Sequence, residues 1–439
     1  MVNLRTRKIL KFVIPTMMSN VCFFLFTVID GIFVGRGIGT NGLGAVNLVM
    51  PFTLITGALF MLVNIGGATI FAVRLGQNDT EGANRVFRNG MILLVCVAAV
   101  LTAAGTLGTD TICTLFGANE TFHRLSRDYL FWYALFVIPS GLNMGLQSYC
   151  RNDDDPGLVG VATIISTAAN IFGDWLLIFP LGMETKGAAI ATGVSQTISM
   201  LVMLTHFIRK KGILCFGKTK PDGKLLRSIV VHGLPEGVGQ LATPIMTLCM
   251  NLVLVSHIGD LGVNAFSLIS YVASFTVAVF FGTSEGLQPL FGQSYGEKNE
   301  TDMKFYFKVG LGINLIGSAV LTVIIILLSR NIFILFGSDA ETIEYTLGVL
   351  PKYAWGFLLM AFNVMISAYM YSTERSVYAI ILNVLRSLVV SVLIIMLLPE
   401  IFGANTVWYT FGIYEAIVLI FAILLLRHSE RNGIQFDKA

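Results

Sequence analysis

Long apolar runs separated by short polar segments are the dominant pattern along the chain. A helix that crosses a bilayer needs roughly 20 apolar residues, and the sequence contains twelve such runs. Proline and glycine interrupt several of them, which membrane helices tolerate where neighbouring helices satisfy the freed backbone groups. The predicted spans cover residues 12–35, 45–73, 89–112, 129–150, 158–180, 187–208, 229–258, 264–290, 306–328, 346–372, 377–399 and 406–426.

Composition supports this interpretation. Of the 439 residues, 55% are hydrophobic and 13% are charged, whereas soluble domains carry about 25% charged residues. A soluble or disordered chain is excluded, because so much apolar surface must face something other than water. The net charge of +3 is too small to suggest a nucleic-acid partner. Six scattered cysteines form no CxxC pair, and the five that lie in apolar segments are expected to be buried, inert thiols.

The distribution of lysine and arginine predicts the orientation. If both termini are cytoplasmic, the cytoplasmic segments hold 22 of the 29 basic residues, the outer segments hold 6, and Arg386 lies inside a span. Cytoplasmic loops of membrane proteins carry such an excess. We therefore expect a multi-pass plasma-membrane protein with both termini in the cytoplasm.

The two halves of the chain resemble each other at an offset of 220 residues. Two further matches, Gly66 with Gly282 and Gly76-Gln77 with Gly292-Gln293, occur at an offset of 216 and predict a small length difference within each half. The matches at 220 pair Pro15 with Pro235, Gly90 with Gly310, Leu115-Phe116-Gly117 with Leu335-Phe336-Gly337, Tyr133-Ala134 with Tyr353-Ala354, Asn143 with Asn363, and Tyr149 with Tyr369.

Six spans in each half make the two repeats parallel, since both then enter the membrane from the same side. The predicted fold is an all-α membrane protein with two six-helix lobes around a central cavity. The N-lobe covers 1–208, a basic cytoplasmic linker covers 209–228, and the C-lobe covers 229–439 with a short tail. This architecture predicts a secondary transporter, because the sequence contains no phosphate-binding loop, metal-ligand spacing or nucleophile motif.

Ionisable residues inside the spans are the candidate functional groups, because each costs about 2.5–3.5 kcal/mol to insert. Asp30 lies roughly 28 Å along the first span and Asp174 roughly 24 Å along the fifth. Asn170 shares a helix face with Asp174, and Thr192 reaches a similar depth on the sixth span. These four oxygen-bearing side chains predict an N-lobe site for Na⁺ or a shared proton.

The C-lobe does not repeat these acids, because Met250, Val390 and Ile394 stand at the corresponding positions. Its charges lie elsewhere. Arg386 and Glu415 are interpreted as a structural ion pair, with contact to a cation or substrate as the alternative. The remaining acids are Glu285 and Glu236. Glu285 could attract cationic substrates or face the watery mouth of the cavity. Glu236 is expected at the membrane interface, with a role at the cavity mouth as the alternative.

Several motifs together resemble the multidrug and toxic compound extrusion (MATE) transporter family, and its bacterial MepA-like branch in particular. The resemblance covers essentially the whole chain. The motifs are TVIDGIFVGR (27–36), GLGAVNLVMPF (42–52), Gly76-Gln77, Arg151-Asn152-Asp153 before Pro156, NIFGD (170–174) and GAAIAT (187–192).

The resemblance implies a cation-driven antiporter that exports cationic, amphipathic drugs, with no cofactor and a monomeric state. It implies a DinF-type cation site at Asp30, Asn170, Asp174 and Thr192. It also implies a substrate cavity that includes Asn143, with Glu285 and the position held by Asn363 on the tenth span. Related NorM-type members carry acids on their seventh and tenth spans that this chain lacks.

Three alternatives stay open at this stage. A lipid-linked saccharide flippase would share the architecture but would need a strongly basic cavity, whereas only Arg386 is basic within the spans. A membrane channel or receptor would show uncoupled conductance or a response without uptake. A membrane enzyme has the least support, since no catalytic motif is present.

Overall fold

The structure is a computed structural model that describes residues 4–118, 120–335 and 340–431. The tail at 432–439 and the repeat match at Phe336-Gly337 lie outside the described residues. Secondary structure within the described ranges is entirely helical. The chain divides into two units, Met1–Gly233 (unit 1) and Leu234–Ala439 (unit 2).

Unit 1 contains eight helices and the beginning of a ninth. They are α1 (Leu4–Gly37), α2 (Thr40–Gly76), α3 (Thr80–Leu107), α4 (Thr109–Leu115), α5 (Glu120–Leu135), α6 (Val137–Asn152), α7 (Pro156–Ile178), α8 (Glu184–Arg209) and α9 (Gly223–His257), which continues into unit 2.

Unit 2 continues with seven α-helices and two shorter turns of other helix types. These are α10 (Asp260–Gly296), α11 (Glu300–Leu335), α12 (Ala340–Ala354), α13 (Gly356–Ser372), α14 (Ser376–Val384), a π-turn (Leu385–Val389), α15 (Val390–Phe402), a 3₁₀ turn (Ala404–Tyr409) and α16 (Thr410–Arg431).

Ten helical segments among the described residues are long and apolar enough to cross a membrane. Two bent pairs, α5–α6 and α12–α13, raise the number to twelve if each is one span. The twelve-span prediction is confirmed in this form. The α5–α6 bend of 51° has a sequence cause in Pro139, whose ring clashes with the carbonyl four residues earlier, at Leu135.

The repeat keeps one register throughout, and the predicted length difference is wrong. The second helix ends at Gly76 in one half and its counterpart ends at Gly296 in the other, while Gly39 and Gly259 precede both helices with φ of 89° and 84°. Every one of these pairs is separated by 220 residues. The matches at 216 were coincidental, because glycine is frequent; at 220, Gly66 pairs with Gly286.

A buried aromatic side chain explains why the repeat retains Gly90. Tyr149 is fully buried in the core of unit 1, between Phe71 and Phe87. Its hydroxyl lies so close to Gly67 and Gly90 that a Cβ at either glycine would come within 2.1 Å of it. Small residues of this kind let membrane helices pack closely where lipid supplies no hydrophobic drive.

Candidate cation site

Two carboxyl groups from different helices meet inside unit 1. Asp30 comes from α1 and Asp174 from α7, and their carboxyl groups lie close enough to interact directly. Asp174 and Asn170, one turn apart on α7, are both 0% exposed. The structure thus brings together three of the four residues that the sequence assigns to the site.

Thr192 completes the predicted set from the neighbouring helix α8. The Asn170 side-chain amide points its Nδ2 at Thr192 Oγ1 at 3.4 Å. The Asn170 side chain also contacts Asp174. Because the amide nitrogen faces Thr192, the amide oxygen is left free.

The site is rich in oxygen atoms that have no partner. Asp30 Oδ1, Asn170 Oδ1 and both carboxyl oxygens of Asp174 are buried and accept no hydrogen bond from the described residues. Neither Asp30 nor Asp174 takes part in an ion pair within the described parts of the chain. Two ionised carboxylates at this distance repel, so the arrangement calls for a shared proton or a bound cation.

Tyr129 on α5 is a neighbour of the acid pair that sequence reasoning missed. It is 9% exposed and lies close enough to Asp30 and Asp174 to interact with both electrostatically. Nothing in the pattern distinguishes this tyrosine from the others in the spans, because the apolar pattern does not show which helix face packs against α1 and α7.

The donor set suits either of two ions. Carboxylate, amide and hydroxyl oxygens are hard ligands that suit Na⁺, and the same carboxyl pair can hold a proton. The four free oxygens are the feature that fits either ion.

A second polar cluster lies in unit 2, around Glu415 on α16. Arg386 donates to Glu415 Oε1 from Nε and from a terminal nitrogen, each at 2.9 Å. Asn363 on α13 donates from Nδ2 to Glu415 Oε2 at 2.7 Å. Arg386 sits in the π-turn between α14 and α15, a type of helix irregularity frequent at functional sites.

Glu236 lies beside this cluster and is 6% exposed. It accepts a hydrogen bond from Gln240, and it lines a cavity of about 30 Å³ together with Arg386. Glu285 lies close enough to interact with it electrostatically. Glu236 is therefore buried among side chains of unit 2. Because α9 begins at Gly223, earlier than the predicted span, Pro235 and Glu236 lie well inside the helix. The expected position of Glu236 at the membrane interface stays a prediction.

Asn143 and Asn363, the matched positions of the repeat, make matching contacts. Asn143 donates from Nδ2 to Gln196 Oε1 on α8 at 2.6 Å, as Asn363 donates to Glu415. In both asparagines the Oδ1 atom is buried and has no hydrogen-bond partner in the part of the chain that the structure describes. The repeat has therefore kept a polar link and a free acceptor in each unit, although the other residues differ.

A further cluster in unit 1 was not singled out from the sequence. His206, near the end of α8, contacts Asp153 Oδ2 through Nε2 at 2.8 Å and Asp155 Oδ2 through Nδ1 at 3.1 Å. Only the charged imidazolium can donate from both nitrogens. Asp153 also accepts from the backbone amides of Ile213 and Leu214, so the cluster fixes the connector that follows α8.

Comparison with known proteins decides the family. The sequence model of the family described as MatE matches residues 15–176 and again residues 235–397. Those two segments make up most of the chain. The chain belongs to the MatE family. Its members are transporters rather than enzymes, and one match in each half agrees with the parallel repeat.

Relatives and solved structures extend the likeness over nearly the whole length. The multidrug export protein MepA of Staphylococcus haemolyticus is 23% identical over 438 residues, covering 99% of this chain and 95% of that protein. An FAD transporter of Shewanella oneidensis is 25% identical over 411 residues, covering 90% and 86%.

A crystal structure of MATE in complex with MaL6 superposes with a TM-score of 0.92 at 22% identity, covering 99% of this chain and 98% of that one. An outward-facing multidrug resistance MATE transporter of the MOP superfamily superposes equally well, at 23% identity and coverages of 98% and 96%. At this level of identity the likeness establishes the fold alone, an all-helical fold shared with these MATE structures.

Proposed function

We propose that this MatE-family protein is a multidrug efflux antiporter, which exports amphipathic, mostly cationic compounds in exchange for H⁺ or Na⁺. The names of relatives such as MepA support multidrug export. The oxygen-rich acid pair of unit 1 supports cation coupling. We further propose that both termini are cytoplasmic, on the strength of the lysine and arginine distribution.

One observation carries the coupling proposal: four buried oxygens of Asp30, Asn170 and Asp174 have no partner among the described residues. A cation or proton taken up there would join α1 to α7, because the acids come from both helices. Binding drives a conformational change only if the ion prefers one state over the other. A site whose ligands lie on separate helices meets that condition when the helices move apart during alternating access.

The substrate proposal rests on acidic and amide side chains. Glu285, Asn143 and Asn363 are proposed to contact the substrate, since both asparagines retain a free acceptor oxygen. Acceptors and a carboxylate favour a cationic compound over an anionic one.

The FAD transporter among the relatives raises an alternative, a substrate with a diphosphate. That substrate, like the lipid-linked saccharide of a flippase, would need free basic groups. Arg386, the basic residue in the interior of a predicted span, is instead held by Glu415. The distribution of charge therefore favours a cationic substrate.

The coupling proposal is tested by removing one charge at a time. Asp30→Asn and Asp174→Asn are expected to reduce transport of a fluorescent organic cation, driven by an imposed pH or Na⁺ gradient in proteoliposomes, by about tenfold or more. The reason is that the amide keeps the size but neither releases a proton nor balances a cation. Glu297→Gln, at an exposed residue beyond α10, is the matched control.

Applying the two gradients separately identifies the coupling ion. Normal gradient-driven transport by both Asp30→Asn and Asp174→Asn, at unchanged expression, would overturn the assignment of the site. If Glu297→Gln lost as much transport activity as the two site variants, the loss would follow from removing any acidic side chain and would not support a cation site at Asp30 and Asp174.

A further inference from the structure

A groove runs between α7 and α8 at the end of the helices where the connector 209–228 begins. It has a volume of about 500 Å³. Its apolar wall is formed by Leu158, Val161 and Ile165 of α7, facing Val202 of α8. Val161 and Ile165 are 51% and 40% exposed. The groove therefore opens on the solvent- or lipid-facing surface of unit 1, between two candidate membrane-spanning helices.

The mouth of the groove is basic. Arg209 ends α8, and Lys210 and Lys211 follow directly; all three are exposed. The backbone of Lys210 adopts the left-handed conformation with φ of 47°, which turns the chain at the end of the helix. Arg209 and Lys211 line the groove, and Lys210 lies between them in the chain, so three consecutive cations occur at this end of the groove.

Neighbouring acids do not cancel this charge. Asp155, the acidic residue lining the groove, is bonded to His206 at 3.1 Å and to Lys211 at 3.3 Å. Asp153 binds the other nitrogen of His206. The two acids are thus matched by His206 and Lys211. Arg209 and Lys210 form no ion pair with any of the described residues, so they remain as excess positive charge.

We propose that this groove binds an anionic phospholipid, with an acyl chain along Val161 and Ile165 and the phosphate at Arg209 and Lys210. Apolar walls at membrane depth that end in paired cations complement a molecule with a tail and an anionic head. The side that carries the connector is predicted to be cytoplasmic, where the membrane surface holds anionic lipids. An apolar protein helix would use the walls but leave the two cations without a counter-charge.

The proposal is tested by native mass spectrometry of the full-length protein, titrated with phosphatidylglycerol or phosphatidylcholine. The wild type should retain at least one phosphatidylglycerol in preference to phosphatidylcholine. The double variant Arg209→Gln/Lys210→Gln should bind that lipid about 30-fold more weakly, at roughly fivefold for each cation removed near a membrane surface.

Two further variants separate the groove from charge in general. Lys224→Gln/Arg227→Gln removes two exposed cations near the start of α9, outside the groove, and should bind as the wild type does. Val161→Trp fills the apolar part of the groove without changing charge, and should weaken phosphatidylglycerol binding by about tenfold. Its Arg and Lys residues remain, so a purely electrostatic attraction would be unaffected.

Three results would overturn the proposal. They are equal retention of the two lipids by the wild type, an equal loss in the Lys224→Gln/Arg227→Gln control, or unchanged binding by Val161→Trp. Competition by inorganic phosphate at equal concentration would also contradict it, because the site would then recognise the phosphate without the chain. None of these readouts depends on transport, so the lipid-binding proposal and the proposed transport function can each be contradicted without the other.

Discussion

At the scale of single residues, Glu415 shows how a charge can be held inside a membrane protein. Its side chain is 0% exposed, and both carboxyl oxygens are engaged, one by Arg386 and the other by Asn363. A carboxylate that is already satisfied has little capacity left for a transported cation. We therefore interpret this pair as structural, in contrast to the unpartnered acids Asp30 and Asp174.

Glu415→Gln is expected to destabilise the protein, because it leaves the Arg386 guanidinium without its counter-charge. Breaking a buried ion pair costs about 3–5 kcal/mol, and the 18% exposure of Arg386 places the effect toward the lower end. Glu344→Gln, which breaks an exposed pair with Arg330, should cost about 1 kcal/mol or less. Thermal unfolding of the purified protein measures both.

A Glu415→Gln variant with wild-type stability but no transport would contradict the structural assignment and favour a direct role in coupling. Partial recovery of stability in the double variant Arg386→Met/Glu415→Gln would support the structural assignment, because neither buried charge is then left without its partner.

The residue-scale chemistry was predictable only in part. Charges in mid-span demand compensation, so the sequence could suggest that Arg386 meets Glu415 and that Asp30 lies at the depth of Asp174. It could not indicate Asn363 as the second partner of Glu415, or Tyr129 beside the acids. Those contacts depend on how each helix is rotated against its neighbours, which the apolar pattern does not determine.

At the scale of helices, two glycines set the distance between α2 and the first turns of α9. A Cβ at Gly66 would lie 1.9 Å from the carbonyl oxygen of Ile229, and one at Gly233 would lie 1.7 Å from that of Leu62. Both obstacles are backbone atoms, which cannot rotate away as a side chain can. The two helices therefore touch backbone to backbone at this point.

Gly66→Ala is accordingly expected to force α2 and α9 apart and to lower the thermal stability or the yield of folded protein. Gly57→Ala lies in the same helix with no atom within 4 Å of the added Cβ, so it should be neutral or slightly stabilising through helix propensity. Thermal unfolding in matched detergent compares the two. Equal stability of both variants would contradict the close approach.

The helices themselves were the most predictable level, because apolar length determines them. The bounds of the helices were less predictable than their existence. Helices α1 (Leu4–Gly37) and α2 (Thr40–Gly76) extend beyond the apolar runs, because helical hydrogen bonding continues into polar segments. Pro139 predicts the break before α6. No comparable residue marks the π-turn at Leu385–Val389.

At the scale of the whole molecule, two halves of one repeat have diverged in chemistry while keeping their helix bounds. The residues equivalent to Asp30 and Asn170 are Met250 and Val390, both buried. The sequence predicted this divergence, because the offset of 220 pairs those positions directly. The cation site is accordingly proposed for unit 1 alone, and unit 2 contributes the Arg386–Glu415 pair.

Obligatory exchange of substrate for a cation is tested by reversing the driving force. Proteoliposomes are given a gradient of the fluorescent organic cation with no initial ion gradient, and internal pH and Na⁺ are recorded with separate indicators. Substrate leaving one side is expected to drive H⁺ or Na⁺ uphill in the opposite direction, and Asp30→Asn is expected to abolish this movement. Substrate movement without any cation counterflow, or cation movement without substrate, would contradict obligatory exchange.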